Sequence, residues 1–200
     1  MVAMMIESPA IQPEESSEHM PQTGRDLFDV LPPLPGFRAE VIEGNLLVSP
    51  AGSPEHTFAA VHLYNALSPL CRERGWLSAP GGLTTCVEGT RDAYVPDYLV
   101  VPADCPRWGN EYLSSKVIMA AEIVSPGSVR IDRQEKPRLY AFGGVPIYLL
   151  IDPIAKTPTA TVYSNITDGV YLRMAPVSLG KPLKLPSPID YELDTSLFMG

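Results

Sequence analysis

The stretch that decides the fold is Val117-Ile118-Met119-Ala120-Ala121-Glu122-Ile123-Val124, an apolar run that contains a single carboxylate. An uninterrupted apolar run of this kind is typical of a central β-strand that is covered on both faces. A lone carboxylate inside such a strand is costly unless it is paired or bound to a metal ion. Glu122 is therefore the first candidate for a functional residue.

A second carboxylate occupies a comparable place. Asp97 follows Pro96 and stands at the start of the apolar segment Tyr98–Val101. If the two strands are neighbours, Asp97 and Glu122 converge on one cation, and hard oxygen ligands with open water positions suit Mg²⁺ or Mn²⁺. From position alone an alternative stays open, in which Glu122 points to the other face of the sheet and pairs with an arginine.

The flanking sequence predicts an α/β (α+β) fold, a mixed central sheet flanked by helices, because strand-like and helix-like patterns alternate along it. Before the deciding stretch, the patterns predict an N-terminal hairpin (37–42 and 45–48), a helix from Ser53-Pro54 to about Gly75, and strands at 76–79, 83–87 and 98–101. After it they predict a helix at 132–142, a strand at 147–151, and a late β-hairpin (159–163 and 170–174).

The charge of the chain is unevenly distributed. The net charge is -8, and residues 1–30 contribute -5 of it, with six acids against Arg25 alone. We interpret residues 1–30 as a disordered acidic leader, with one short helical turn at 24–30, and residues 31–200 as a single folded domain. Residues 31–200 hold 17 acids and 14 bases, so they lack the basic excess of proteins that bind duplex DNA tightly and without specificity.

The sequence also predicts a cellular setting. The three cysteines are Cys71, Cys86 and Cys105, and neither their odd number nor their spacing suggests disulfides or a zinc site. The first residues do not have the pattern of a signal peptide, and no apolar run is long enough to cross a bilayer. We expect a cytoplasmic protein with no membrane partner.

Several short motifs occur in a particular order. They are Glu40-Val41-Ile42-Glu43-Gly44, Ser53-Pro54 to His56, Pro96-Asp97, Glu122-Ile123-Val124-Ser125-Pro126, Asp132 to Lys136, Tyr140-Ala141 to Tyr148, and Ile151-Asp152-Pro153. In order and spacing, the series resembles the Uma-type restriction endonuclease family, a branch of the PD-(D/E)xK nuclease superfamily. The resemblance runs from about Phe37 to Phe198. It implies a restriction-endonuclease-like core.

The resemblance also implies roles for individual residues. Asp97 matches the aspartate of the Pro-Asp element and Glu122 the acidic ligand on the next strand, so both are expected to bind metal. Glu40 matches an early glutamate that completes the acidic site. The superfamily usually places a lysine where this chain has Val124, and the resemblance moves that role to Lys136. From the residues alone, a solvated helix residue in a mixed-charge run is the favoured interpretation of Lys136, and Pro137 steers it away from regular helical angles.

Three further residues are candidates for substrate contact. His56 matches a family position near a helix start, although helix-end packing explains it about as well. Ser125 begins a Ser-Pro-Gly-Ser turn that could offer backbone amides to a phosphate. Tyr140 lies four residues after Lys136, where a packing role is the more common one for an aromatic side chain.

Two hypotheses for function follow. The first is a metal-dependent nuclease that hydrolyses phosphodiester bonds in nucleic acid, with DNA as the expected substrate and Mg²⁺ or Mn²⁺ as cofactor. The second is a catalytically degenerate module on the same scaffold, which binds nucleic acid or a protein partner. The acidic charge, the absent third-position lysine and Pro137 favour the second. The strand edges of the late hairpin also offer a surface for a homodimer.

Overall fold

A computed structural model describes residues 20–199 of the chain, and it has a mixed α+β architecture. The α-helices are α1 (Gly24–Val30), α2 (Pro54–Glu73) and α3 (Lys136–Phe142). The strands are β1 (Phe37–Ile42), β2 (Asn45–Pro50), β3 (Trp76–Pro80), β4 (Thr85–Cys86), β5 (Ala93–Tyr94), β6 (Tyr98–Pro102), β7 (Arg107–Trp108), β8 (Glu111–Leu113), β9 (Met119–Ile123), β10 (Ile147–Asp152), β11 (Thr159–Thr167), β12 (Val170–Ser178), β13 (Pro182–Leu185) and β14 (Tyr191–Asp194).

The central sheet has the strand order β12-β11-β10-β9-β6-β3. Its only parallel pair among the described residues is β9 with β10, and the crossover between them contains α3. Parallel neighbours require such a crossover, whereas the hairpin-linked strands run antiparallel. The predicted mixed sheet with flanking helices is confirmed, and the deciding stretch forms β9 in its interior.

Side-chain alternation along β9 feeds two separate cores. Met119, Ala121 and Ile123 enter a core with α2 and the C-terminal segment. Ala120 enters the second core, which lies on the opposite face and includes Leu139 and Tyr140 of α3. Glu122 has the parity of Ala120, so the two-residue period of the strand places it on the α3 face.

A second sheet, of order β2-β1-β5-β4-β8-β7, carries the N-terminal hairpin. The turn of that hairpin is Glu43-Gly44, and both residues have positive φ, as a tight two-residue hairpin requires. The late hairpin is longer than predicted. Its turn is Asp168-Gly169, also at positive φ, rather than the whole segment between the two predicted strands. β12 lies at the edge of the central sheet.

The boundary of the acidic leader needs correction. Residues 24–30 form α1, which is capped by Thr23 and packs on β1 and β2. Buried Arg25 joins this helix to Glu111 of β8 through two hydrogen bonds of 2.7 and 2.8 Å. The folded body therefore includes α1. The rest of the predicted leader, residues 1–19, lies outside the described residues.

Two smaller expectations were also tested. The predicted strand at 83–87 is reduced to β4, two residues long. Cys71, Cys86 and Cys105 are all free and buried, as the sequence predicts. In the described part of the chain, no helix is long and apolar enough to cross a membrane.

Candidate active site

The register of the central sheet brings Asp97 and Glu122 together. β6 and β9 are antiparallel, with Tyr98 opposite Ala121, so the preceding Asp97 falls level with Glu122. An Asp97 carboxylate oxygen, Oδ2, accepts a hydrogen bond of 2.8 Å from the backbone N–H of Ile123. The two carboxylates are both buried, at 4% and 0% exposure. The condition set by the sequence, that their strands be neighbours, is met.

Lys136 reaches the same place from the crossover. A π-helical turn at Ile131–Glu135 precedes α3, which begins at Lys136 with Pro137 in its first turn. In the first turn of a helix a backbone N–H has no acceptor within the helix, so Pro137, which lacks this N–H, is tolerated there. The Lys136 ammonium is buried, with Nζ 2.6 Å from Glu122 Oε1. The reading of Lys136 as a solvated helix residue is wrong.

The second sheet supplies Glu40 and its neighbour Arg38 from β1. Glu40 Oε1 accepts a hydrogen bond of 2.9 Å from the N–H of Val95 and lies 3.3 Å from Lys136 Nζ. Arg38 Nη1 donates to Asp97 Oδ1 at 2.8 Å. The structure therefore unites all four residues that the resemblance pointed to. They are Glu40, Asp97, Glu122 and Lys136.

Two members of the site were not identified from the sequence. Asp132, 2% exposed, lies with Oδ1 3.6 Å from Lys136 Nζ. Its spacing of four residues from Lys136 on a helical segment was the available signal. Arg38 alternates with Glu40 on β1 and so shares its face, which was a second signal. We call Glu40, Asp97, Glu122 and Asp132 the acidic cluster.

Burial and neighbouring charges set the protonation of the acidic cluster. Burial raises the pKa of Glu122, and Lys136 only partly opposes this rise. Burial acts in the same direction on Asp97, but the hydrogen bond with His56 and the charge of Arg38 outweigh it, so the pKa of Asp97 is lowered. Burial lowers the pKa of Lys136, but the charges of Glu122 and Glu40 more than reverse this, and the ammonium stays protonated.

When its four carboxylates are all ionised, the acidic cluster is short of positive charge. Four carboxylates face two permanent cations, Lys136 and Arg38, and His56 adds a third only when protonated. Two buried acceptor atoms, Glu122 Oε2 and Asp132 Oδ1, have no hydrogen-bond partner. A buried polar atom without a partner normally costs about 1–3 kcal/mol, so both oxygens have lone pairs available to a cation or a water.

A divalent cation would supply the positive charge that the acidic cluster lacks. Across residues 20–199, no three His, Cys, Asp or Glu side chains are arranged as a metal site. Mg²⁺ does not need three, because it is commonly held by one or two carboxylates and keeps several waters. Glu122 offers Oε2, and Asp97 offers the remaining lone pair of Oδ1. These two carboxylates could therefore hold the cation between them.

The three predicted substrate contacts differ in location. His56, near the start of α2, lies with Nε2 2.9 Å from Asp97 Oδ2. Tyr140 is buried, and its hydroxyl donates to Glu122 Oε1 at 2.8 Å, so it supports the carboxylate from beneath. The Ser125 amide is already bonded to the Ser128 hydroxyl at 3.0 Å. Of the three, His56 is the one in direct contact with Asp97.

Access to the acidic cluster is through a small pocket of about 240 Å³ beside α2. Arg38, His56 and Asp97 line it, together with the Gly81-Gly82 turn. Glu122 and Lys136 are absent from its walls and lie deeper. A ligand that enters here meets Asp97 and a guanidinium first. His56 also forms part of the wall of a larger pocket on its other side, next to Ser125.

The chain is similar to known proteins in both its fold and its sequence. A crystal structure of "a putative nuclease belonging to DUF820" from Anabaena variabilis has the same fold, with a TM-score of 0.68 and 20% identity over 90% of this chain and 98% of that one. Among the curated proteins there is no match. The sequence model of the Uma2 family, described as "Putative restriction endonuclease", matches residues 25–196. The chain therefore belongs to the Uma2 family.

Proposed function

We propose that this protein is a metal-dependent nuclease that hydrolyses phosphodiester bonds, with DNA as the first substrate to test. The observation that carries the proposal is the unpartnered Glu122 Oε2 in a buried acidic cluster with an excess of negative charge. The description of the Uma2 family and that of the neighbour from Anabaena both point to nuclease chemistry. Family membership and the site are independent observations that favour the same reaction.

In this proposal Asp97 and Glu122 hold Mg²⁺ or Mn²⁺. A divalent cation in such a site supplies a water of lowered pKa and stabilises negative charge on a phosphate. Arg38 binds the phosphate, because its guanidinium carries a permanent positive charge and its side chain lines the access pocket. Lys136 positions Glu122 by holding Oε1, which leaves Oε2 free for the cation.

Glu40 and Asp132 have a supporting role in the same scheme. Both lie within 3.6 Å of Lys136 Nζ, so they keep that ammonium charged and fixed. Tyr140 donates to the Glu122 oxygen that also receives Lys136, which orients the carboxylate. These contacts hold Glu122 in one orientation before any substrate arrives, which is what a preorganised site requires.

The test is metal binding measured by calorimetry. Wild-type protein is titrated with MnCl₂ and MgCl₂ beside the double variant Asp97→Asn with Glu122→Gln. Asp152→Asn is the matched control, since Asp152 is a buried aspartate at the end of β10 whose ion-pair partner is Arg133 and not a member of the acidic cluster. Binding by the wild type and the control, lost in the double variant, supports the proposal. A wild type that binds neither ion contradicts it.

One observation favours a second candidate, a degenerate module that binds nucleic acid or a protein partner. The Lys136 ammonium already contacts three carboxylates, at 2.6, 3.3 and 3.6 Å, and partly fills the role of a bound cation. This module predicts no metal binding, while binding to its partner survives Asp97→Asn. A homodimer through the edge strand β12 remains compatible with either candidate and is tested by sedimentation.

A further inference from the structure

The largest pocket beside the acidic cluster has no role in the chemistry described so far. It has a volume of about 480 Å³, within the range of about 300–1,000 Å³ that is usual for small-molecule sites. It opens at the carboxyl ends of the parallel strands β9 and β10, where Ser125 and Pro153 continue the chain. Helix α2 and the C-terminal residues 197–199 close its sides.

The chemistry of the walls indicates a flat, uncharged ligand. The walls are mainly apolar, including Phe58, Ile123, Ile151, Ile154, Leu197 and Met199. No lysine or arginine is among the lining residues, so the pocket does not provide for a phosphate. Phe58 is 62% exposed, although it is a large apolar side chain. An exposed aromatic ring at a pocket wall is suited to stacking on a planar ring.

Five polar residues also line the pocket: Ser53, Glu55, His56, His62 and Ser125. Of these, His56 contacts the acidic cluster directly, through Asp97. His56 lines both this pocket and the access pocket that contains Arg38 and Asp97. Ser125 lines it as well, three residues after Glu122. A ligand with an apolar ring at one end and a phosphate at the other would place the ring against Phe58. Its phosphate would reach Arg38 across His56.

We propose that this pocket binds the base of an unpaired nucleotide next to the phosphate at the acidic cluster. The inference rests on the proposed function and narrows its substrate to strands with an unstacked base, either single-stranded or with one nucleotide extruded. It also accounts for the absence of a basic excess in residues 31–200. Stacking supplies affinity that Lys and Arg contacts provide in other nucleic-acid-binding proteins.

The test uses an uncharged probe, so that it does not depend on the metal site. Deoxyadenosine is titrated into isotope-labelled protein without metal, and the methyl signals of Ile123, Ile154 and Leu197 are followed by NMR. We expect saturable shifts that 2-deoxyribose does not produce. Phe58→Ala should weaken deoxyadenosine binding by about tenfold, the usual scale of one stacking contact.

Two variants make the result specific. Phe142→Ala is the matched control, because Phe142 is 61% exposed and lies outside the pocket, and it should bind like the wild type. Glu122→Gln should also retain nucleoside binding, although it damages the proposed metal site. Nucleoside binding without any metal-dependent cleavage would support the base-binding pocket and contradict the proposed nuclease function. Metal-dependent cleavage without nucleoside binding would support the nuclease function and contradict the base-binding pocket.

Three outcomes overturn the inference. The first is that deoxyadenosine does not bind, or binds no better than deoxyribose. The second is that Phe58→Ala binds deoxyadenosine as the wild type does. The third is that the wild type sediments as a dimer which Phe58→Ala converts to a monomer, because the pocket would then be assigned to a second copy of the chain.

Discussion

Two buried groups of charged side chains can be compared in this molecule. Between α1 and β8, Arg25 and Glu111 form a closed pair, in which both carboxylate oxygens accept from the guanidinium at 2.7 and 2.8 Å. The remaining Arg25 N–H groups contact Asp29 and the carbonyl of Arg91. The hydrogen bond that Arg25 donates to Glu111, opposed in part by burial, raises the pKa of Arg25.

The acidic cluster differs in both its charge and its hydrogen bonding. It holds more carboxylates than cations, and Glu122 Oε2 and Asp132 Oδ1 lack partners. A purely structural ion pair is stable only when its members are fully satisfied, as in the closed pair. Burial of charge alone therefore does not mark a functional site. An excess of one charge that no partner compensates is the better indicator.

The largest effect is expected from Asp97→Asn, which removes one carboxylate of the acidic cluster. The rate of metal-dependent DNA cleavage should fall by about 1,000-fold or more, because the site loses half of its proposed metal ligands. Initial rates on single-stranded and duplex DNA with MnCl₂ measure this. Asp152→Asn should cleave at close to the wild-type rate. Equal rates for the two variants would contradict the assignment.

The second effect concerns Lys136→Met. The variant leaves four buried carboxylates with Arg38 as their only permanent cation, so unfolding free energy should fall by about 3–5 kcal/mol. Urea unfolding at neutral pH measures the loss. Because a divalent cation would replace the missing charge, added MgCl₂ should stabilise the variant more than the wild type.

A double variant separates charge from packing in this experiment. Glu122→Gln combined with Lys136→Met removes one charge of each sign, so it should recover part of the stability lost in Lys136→Met. If the double variant is as unstable as the sum of the two single variants, Lys136 stabilises through its packed alkyl chain instead.

The sequence identified most residues of the acidic cluster, but it did not predict the contacts that hold them together. Asp97 and Glu122 were recognisable because each is a carboxylate at a strand position where burial is costly. Arg38 meets Asp97 through a contact that no local pattern fixes, since the two residues are 59 positions apart and lie on different sheets. Asp132 had a local signal, its four-residue spacing from Lys136, but that spacing alone does not distinguish a site residue from a solvated helix pair. The π-helical turn before Lys136 was also beyond prediction, because the helical period alone gives a regular helix from 132.

The same limit applies to the elements around the site. Glu43-Gly44 separates two short apolar segments, as a two-residue turn does, and so it predicted the first hairpin directly. Helix α1 was placed in the leader because its composition is acidic and its length short. What fixes it is the closed pair, and Glu111 lies 86 residues from Arg25. The larger pocket was likewise not foreseen, since it forms only when residues 197–199 return to the end of β9.

The third effect compares one substitution at two glutamates. Glu111→Gln leaves Arg25 buried beside a neutral amide, with Asp29 as its remaining partner, so unfolding free energy should fall by about 3 kcal/mol. Glu122→Gln removes one negative charge from the acidic cluster, which has an excess of them. The amide oxygen of the glutamine still accepts hydrogen bonds from Lys136 and Tyr140. The stability of this variant should change by less than about 1 kcal/mol. Equal losses in urea unfolding would erase the distinction between the closed pair and the acidic cluster.

The smallest effect is a pH dependence carried by His56. Its hydrogen bond with Asp97 raises its pKa above 6.5, although burial opposes the shift. A raised pKa in the folded state means that the stabilisation is fully present below pH 6.5 and is lost as the pH rises through the folded value. The stability gap between wild type and His56→Gln should therefore be wider near about pH 5.5 than near about pH 8.5.

His62 provides the control for this measurement because it lies exposed on the same helix and has no acidic partner among residues 20–199. His62→Gln is measured beside it as the substitution that removes an imidazole from α2 without removing a contact to the acidic cluster. A gap for His56→Gln that is constant, or that widens at high pH, would mean that His56 acts by packing. Since the protonated imidazole also offsets one charge of the acidic cluster, loss of that proton at high pH should at the same time strengthen Mn²⁺ binding. The closed pair contains no histidine, the side chain whose ordinary pKa lies in this pH range, and so offers no comparable link between stability and ion binding.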